Sequence, residues 1–592
     1  MEQKIKQMEQ IIDYVNGNFV VLDSFGKISD SGQNCESTNM FIGKNNVNCS
    51  LLTKFVGILH VSSKSIIKNG IKKNGMCKKK FTPFMKHLPK IVVKTNRIEI
   101  GPDEYVVVRF EKMELDVMHC EVDMYLGQIG EYQIDLLMTK YLGCCHWINK
   151  YNKNFSNLVQ IDTCADRIDY SNDPTMIIYS IDPNGCVDID DAIHIKQQHT
   201  QYEIGIHIAD VSSYIEEGSI YDMELSKRVE TLYYDNPDIN PIHMIPECLS
   251  LTNISLNVEG KKRTFSVIIT LDNNFNILKV DFKRLLVKIN KNLSYEQAEK
   301  MIQTDINIKN MYEIGSKLKQ YISSSFNDKI PYDIHQMIEV YMIMANKLVA
   351  EKLIANDVDN SNVLLRSQNS KSVQPTQSAQ LVQSVQLDES DEPIDLNLIK
   401  KYELSKSERA IYQIGVIESR HSNLNLEYYT HFTSPMRRYA DVMVHRQLEK
   451  KINGEEIKKI PLEKLFLINF YSNYYKKVSR YSNLIFVAKK LPSVSEYDCN
   501  VILIKNNGNI RLHISELKLD YDHIIIDKKI NNIIEITNFN DNIIILENII
   551  TKNKITIKLF QKLRIKIVKL EKSMEKINIS IIDPNIYFLL DL

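Results

Sequence analysis

The sequence predicts an α+β chain of several domains, with a mixed central unit flanked by small β-barrel modules of the OB type. Three observations carry this expectation. The chain has 592 residues, too many for one core. Residues 56–160 and 493–592 read as short alternating strand-like runs. The stretch between them mixes such runs with long helical periodicity.

Residues 1–55 open with a short polar helix, followed by a strand at Asn18-Phe-Val-Val-Leu22 and a polar loop. Residues 56–160 contain Val56-Gly-Ile-Leu-His-Val61, Ile91-Val-Val-Lys94 and Tyr105-Val-Val-Val-Arg-Phe110, separated by turn residues. A basic block from Lys64 to Arg97 includes Lys78-Lys-Lys-Phe81. It reads either as a solvated loop or as the phosphate-facing rim of an OB-type barrel. Residues 161–490 form the largest unit. Its strands include Ile204-Gly-Ile-His-Ile208 and Phe265-Ser-Val-Ile-Ile-Thr270, and apolar spacing of three and four predicts helices at 334–355 and 440–451. Within this unit, residues 367–396 are rich in Gln and Ser and then acidic, which predicts a disordered surface insertion. Residues 493–592 alternate in Ile-rich runs such as Leu563-Arg-Ile-Lys-Ile-Val568. A second OB-type barrel fits this pattern, and a purely structural sheet would share it.

Composition excludes several classes. Hydrophobic residues are 44% and charged residues 25%, as in globular proteins. Net charge is zero, so any nucleic-acid surface must be local. Ten cysteines show neither C-x-x-C nor zinc spacing and read as reduced thiols. The start, Met-Glu-Gln-Lys, lacks an apolar signal core, and no apolar run is long enough to span a bilayer. The expectation is a cytoplasmic protein without membrane contact.

The densest chemistry lies in Tyr179 to His194, where Asp182, Asp188, Asp190 and Asp191 fall within ten residues. Four carboxylates so close repel one another unless a cation neutralises them. Hard oxygen ligands of this kind suit Mg2+ or Mn2+. The spacing is not that of an EF-hand loop. An acidic surface turn is the other reading, since Pro183-Asn-Gly185 is a turn signal. If extended, the chain puts Asp188 and Asp190 on one face and Asp191 on the other. A second segment, THFTSPMRRYADVMVHR, runs from Thr430 to Arg446. Pro435 after Ser434 predicts a helix start there, with Arg437 and Arg438 near its positive end, where an anion binds well.

Together these segments resemble the RNB catalytic domain of the ribonuclease II and ribonuclease R family, to which the exosome's catalytic subunit also belongs. The carrying motifs are D-x5-D-x-D-D and THFTSPMRRYADVMVHR. Between them, Ile206–Tyr214, Leu232–Tyr234, Met244–Leu251, Leu293–Ala298 and Met344–Asn346 also fit. The likeness covers about residues 56–592 and is strong over 175–450.

The resemblance implies an RNB catalytic domain flanked by OB-type RNA-binding domains, with residues 1–55 a reduced first barrel. It implies that Asp182, Asp188, Asp190 and Asp191 bind metal, Asp190 being the least dispensable. Arg437 then contacts the scissile phosphate, Tyr233 clamps the terminal base and Tyr295 lines the RNA path. The implied activity is hydrolytic 3′-to-5′ degradation of single-stranded RNA to nucleoside 5′-monophosphates with two metal ions, Mg2+ or alternatively Mn2+. The implied protein is a monomer recruited to an RNA-turnover complex. Two departures imply a different grip on RNA or ribose. Glu339 is followed by Val340 rather than a second glutamate, and Arg366 is followed by Gln368 rather than histidine. The alternatives are a catalytically inactive RNB-fold RNA-binding adaptor and a DNA exonuclease. The presence of all four aspartates favours the enzyme.

Overall fold

Alternation of apolar and polar residues from Lys54 to Gln128 closes into a five-stranded barrel. Its strands are β1 (Lys54–Leu59), β2 (Cys77–Pro83), β3 (Lys90–Thr95), β4 (Glu104–Glu114) and β5 (Val117–Gln128), in the order β1-β2-β3-β5-β4 with β4 paired back onto β1. The computed structural model describes residues 54–63, 76–84, 90–115, 117–145, 167–198, 200–322, 332–355, 361–368, 395, 398–399, 401–402, 405, 409–415, 419–505, 509–523, 534–539, 542–569 and 577–584. The expectations for residues 1–53, for 64–75 and 85–89 of the basic block, and for nearly all of the 367–396 insertion fall outside these residues.

Lys78, Lys79 and Lys80 lie in strand β2, which corrects the solvated-loop reading of that run. Strand alternation sends Lys79 inward, where its buried ammonium donates to the carbonyls of Val61 (3.2 Å) and Ser63 (2.7 Å). Lys80 points to solvent.

A seven-stranded sheet forms the centre of the molecule. Its strands are β6 (Ile168–Asp169), β7 (Ile178–Asp182), β8 (Asp191–Gln198), β9 (Gln201–Ala209), β10 (Lys262–Asp272), β11 (Ile277–Val287) and β12 (Lys291–Ser294), in the order β12-β7-β8-β9-β10-β11-β6. The middle strands are covered on both faces, which is why they are rich in Ile and Val. On one face Phe265 packs edge-on against Phe432 (5.7 Å) and His445 (5.6 Å).

Helix α1 spans Tyr132–Cys144 and α2 spans Ile220–Arg228. Next come α3 (Tyr295–Met301), α4 (Ile306–Leu318) and α5 (Ile334–Ile354). The last two are α6 (Tyr439–Asn453) and α7 (Leu462–Lys490). Asp333 caps α5 by accepting from the Gln336 amide at 2.8 Å. Val340 is fully buried on α5 while Glu339 faces outward, so the valine is a core residue and contacts no ligand directly.

On the opposite face His194 and His207 stack, with Nδ1 of the first and Nε2 of the second 2.7 Å apart. Burial and the neighbouring His194 hold His207 well below the usual histidine range. Gly205 makes room for this pair, because a Cβ there would lie 2.2 Å from the His194 ring.

The 29 residues of α7 make a rod of about 43 Å. Its first turns pack Leu465, Ile468, Tyr471 and Tyr475 into the main core. Val478 and Ile485 pack against Val56, Tyr105 and Leu126 of the barrel, together with α1. Val487, Ala488 and Leu491 join a third core. That core belongs to the C-terminal strands, a five-stranded sheet within 494–583 and a three-stranded sheet within 534–558. Among the described residues no helix is long and apolar enough to cross a membrane.

Gly205→Ala is expected to cost about 1–3 kcal/mol through overpacking against His194. In urea denaturation, adding His194→Ala should recover part of that loss. A double variant whose loss equals the sum of the single losses would contradict the contact.

Candidate active site

The aspartates sit on the β7–β8 connection. Asp182 ends β7 and Asp191 opens β8. The turn between them needs a left-handed residue, supplied by Gly185 at φ +80°, and the Cys186 amide closes it onto the Pro183 carbonyl at 3.0 Å. Ser255 fixes the rest of the loop: its hydroxyl accepts from the Ile189 amide (3.0 Å) and donates to the Val187 carbonyl (2.7 Å). The Leu256 amide donates to the Ile189 carbonyl (3.0 Å) and the Ala209 amide to the Asp190 carbonyl (2.8 Å).

The arginine segment departs from the expected helix start at Pro435. The Thr231 amide donates to the Arg437 carbonyl (2.9 Å), and the Tyr439 amide donates to the Val229 carbonyl (2.7 Å). This pairing draws Arg438 into extended backbone, so α6 begins only at Tyr439. Residues 434–438 instead make a turn, with the Arg438 amide bonded to the Ser434 carbonyl at 3.0 Å. The turn presents the Met436 amide, which donates to Asp190 Oδ1 at 2.8 Å. Arg437 Nε lies 3.4 Å from Asp190 Oδ2, and its Nη2 donates to the Ser434 hydroxyl at 2.8 Å. Asp190 is only 5% exposed, whereas the Arg437 side chain is 45% exposed and can meet a further anion.

The other expected residues join them. Tyr233, 44% exposed, donates to Asp188 Oδ2 at 3.4 Å. Strand β12 runs parallel to β7 and sets Ser294 beside Asp182, so Tyr295 starts α3 at the same edge. Tyr295 stacks on His335 at 3.8 Å. Burial, and then the charges of Asp191 and Asp182, push its hydroxyl up to about 12.

The carboxylates strain one another electrostatically. Burial raises Asp182 to about 6, with the charge of Asp188 adding to it. Asp190 rises to about 7 by burial, despite Arg437 and the Met436 amide. Burial and the charges of Asp182 and Asp190 raise Asp191 well above the usual range. Asp188 behaves oppositely: burial would raise it, but the hydrogen bond and charge of His243 outweigh that and lower it. Burial and the nearby aspartates push the Cys186 thiol up to about 12.

Among the described residues, no three Asp, Glu, His or Cys side chains already converge as a ligand shell. The donor chemistry nevertheless fits a hard divalent cation. The cluster is all carboxylate oxygen, its four carboxylates outnumber the nearby guanidinium groups of Arg437 and Arg438, and Asp182 Oδ2 is buried without a hydrogen-bond partner.

Sequence reasoning missed the residues that hold this arrangement. Asp210, fully buried, pairs with Arg167 and lies 3.3 Å from Arg284 Nε and 3.8 Å from His445 Nδ1. His445 Nε2 donates to the Phe432 carbonyl at 2.8 Å, so the network reaches the arginine segment. Burial alone would raise Asp210; the neighbouring His445, with Arg167 and Arg284, holds it well below the usual range. Asp222 anchors α6 by accepting from the Tyr439 hydroxyl (2.8 Å) and Arg446 (2.7 Å). His243 and Ser255 were also unassigned. Asp210 lay in a motif noted above, but a lone histidine between Pro241 and Pro246 gave no signal of its partner.

Residues 167–454 match the family model of the RNB domain. The chain is 28% identical over 443 residues to the probable exosome complex exonuclease RRP44 of Caenorhabditis elegans, a match covering 64% of this chain and 45% of that relative. The chain therefore spans under half of that relative's length. Among solved structures, RNase R of Mycoplasma genitalium in complex with ribose methylated single-stranded RNA superposes with a TM-score of 0.65 at 17% identity, covering 90% of each chain. The structure of yeast Ssd1, a pseudonuclease, superposes at 0.63 and 18% identity, covering 91% of this chain and 83% of that one. These two likenesses show the fold, and the second shows that the fold alone does not decide activity.

Asp210→Ala leaves Arg167 buried with its carboxylate removed and should cost about 3–5 kcal/mol in urea denaturation. A loss below about 1 kcal/mol would contradict the network's role. Asp210's folded pKa is depressed, so its contribution is present above the ordinary carboxylate range and lost as pH falls toward the folded value. Asp210→Asn should therefore lose less stability on acidification than the wild type.

Proposed function

We propose, from the RNB domain that this chain carries across residues 167–454, that the protein is a hydrolytic 3′-to-5′ exoribonuclease acting on single-stranded RNA. The observation that carries the reading is the meeting of four crowded aspartates with a half-exposed Arg437 at one place. Asp182, Asp188, Asp190 and Asp191 would hold Mg2+ or Mn2+. Bound there, a pair of such ions supplies Lewis-acid activation of water and stabilisation of the departing 3′-oxygen.

The chain's own residues do the remaining work. Arg437, fixed on one side by Asp190 and Ser434, turns its free edge to the scissile phosphate and balances charge developing there. Tyr233 stacks on the terminal base, its hydroxyl tied to Asp188. Tyr295, held by His335, lines the path beside Asp182. The products are nucleoside 5′-monophosphates. Ribose 2′-hydroxyl contacts would separate RNA from DNA. Recruitment of a monomer to an RNA-turnover complex in the cytoplasm completes the proposal; the likeness to the probable exosome complex exonuclease of Caenorhabditis elegans supports the complex.

The likeness to a pseudonuclease favours one second reading, an RNA-binding adaptor without activity. The four aspartates beside Arg437 weigh against it.

The test is a time course on 5′-labelled single-stranded RNA with Mg2+, beside an EDTA control and a DNA of the same sequence. Shortening of the RNA only, and only with metal, supports the enzyme. RNA that stays intact yet shifts on a native gel supports the adaptor. Asp190→Asn should slow cleavage at least about 100-fold while leaving RNA affinity nearly unchanged, as expected for loss of a group acting on the transition state. Loss of binding together with cleavage would show that the site has been misassigned.

A further inference from the structure

Two side chains from the 233–243 segment converge on one oxygen of Asp188. His243 Nδ1 lies 3.3 Å from Oδ2, and the Tyr233 hydroxyl donates to the same atom at 3.4 Å. Oδ1 faces the Cys186 thiol at 3.8 Å. Oδ2 thus carries both the imidazole and the phenol, while Oδ1 has only the long, weak thiol donor, which a cation can displace.

The imidazole is built in rather than loosely placed. Its side chain is 19% exposed and that of Asp188 is 16% exposed. The backbone on either side is pinned. Ile242 exchanges both amide bonds with Leu232 at 2.9 Å, Arg228 donates to the His243 carbonyl at 3.3 Å, and the Met244 amide donates to the Thr231 hydroxyl at 3.0 Å. On the far side of the ring, Nε2 lies 3.9 Å from Glu247 Oε1. An ionised carboxylate only accepts, so Nδ1 is the donor to Asp188.

We propose that His243 is a positioning residue for the metal centre, fixing the Asp188 carboxylate so that Oδ1 is presented to a divalent cation. The proposal rests on the reading of the aspartate cluster as a metal site. Hydrogen-bonded partners of ligating groups set ligand orientation, and their loss typically weakens metal binding 10- to 100-fold.

The test is Mn2+ titration of the metal-free full-length chain, with unbound Mn2+ read from its paramagnetic resonance signal. His243→Ala should weaken binding about 10- to 100-fold. His243→Asn places an amide N–H close to the Nδ1 position and should bind Mn2+ nearly as the wild type does. Thermal unfolding of the metal-free variants establishes that each is folded. If His243→Ala binds as tightly as the wild type, the proposal fails. It fails equally if the alanine and asparagine variants are weakened alike, because then ring packing and not the N–H donor matters. If the wild type itself takes up no Mn2+, the metal-site reading beneath the proposal is what has failed.

Discussion

The site depends on one contact, the buried carboxylate of Asp190 set against the turn at Met436 and Arg437. It joins two segments 246 residues apart in sequence. The Met436 amide and the guanidinium groups of Arg437 and Arg438 do not cancel the cost of burying this charge, which is why Asp190 stays raised to about 7. Two further raised carboxylates, Asp182 and Asp191, lie on the same connection. The loop cannot relax outward, because Ser255, Leu256 and Ala209 fix its backbone. The arginine segment cannot relax either, because its strand-like pairing with residues 229–231 and the Asp210–His445–Phe432 chain hold it. Unfavourable charge is thus stored in a rigid frame, as at sites whose missing partner is a cation.

Helix α7 carries the frame outward. One rod contributes side chains in turn to the main core, to the barrel's core and to the C-terminal core. The two flanking β modules are therefore placed by the same element that packs behind the central unit. The polar ends of α5 and α6 are tied in the same economical way, by Asp333 at the first and Asp222 along the second.

Much of this was legible in the sequence because the signals were local. Helices α5 and α6 fall within two residues of their periodic patterns, and β9 and β10 contain the apolar runs that announced them. The aspartates were legible because four like charges so close demand an explanation. What failed was non-local. Pro435 is a good first-turn residue, but pairing with residues 229–231 overrides that preference. Lysine density left a solvated loop and a barrel rim both open at 78–80; the flanking Cys77 and Phe81 mark a strand whose inward lysine is satisfied by carbonyls of another segment. His243 is a lone histidine whose role appears only when the fold sets it against Asp188. The valine at position 340 was noticed as a chemical departure, and its full burial makes it a packing residue.

Without a cation, repulsion within the aspartate cluster goes uncompensated, and thermal unfolding with and without Mg2+ reads it out. In the wild type, added Mg2+ should raise the unfolding midpoint in a concentration-dependent way, since it binds only the folded chain. Asp191→Asn should unfold at or above the wild-type midpoint without metal, because a repelling charge is gone, and should respond far less to Mg2+. A metal-free Asp191→Asn that unfolds well below the wild type, while gaining as much from Mg2+, would show that the cluster carries no such repulsion.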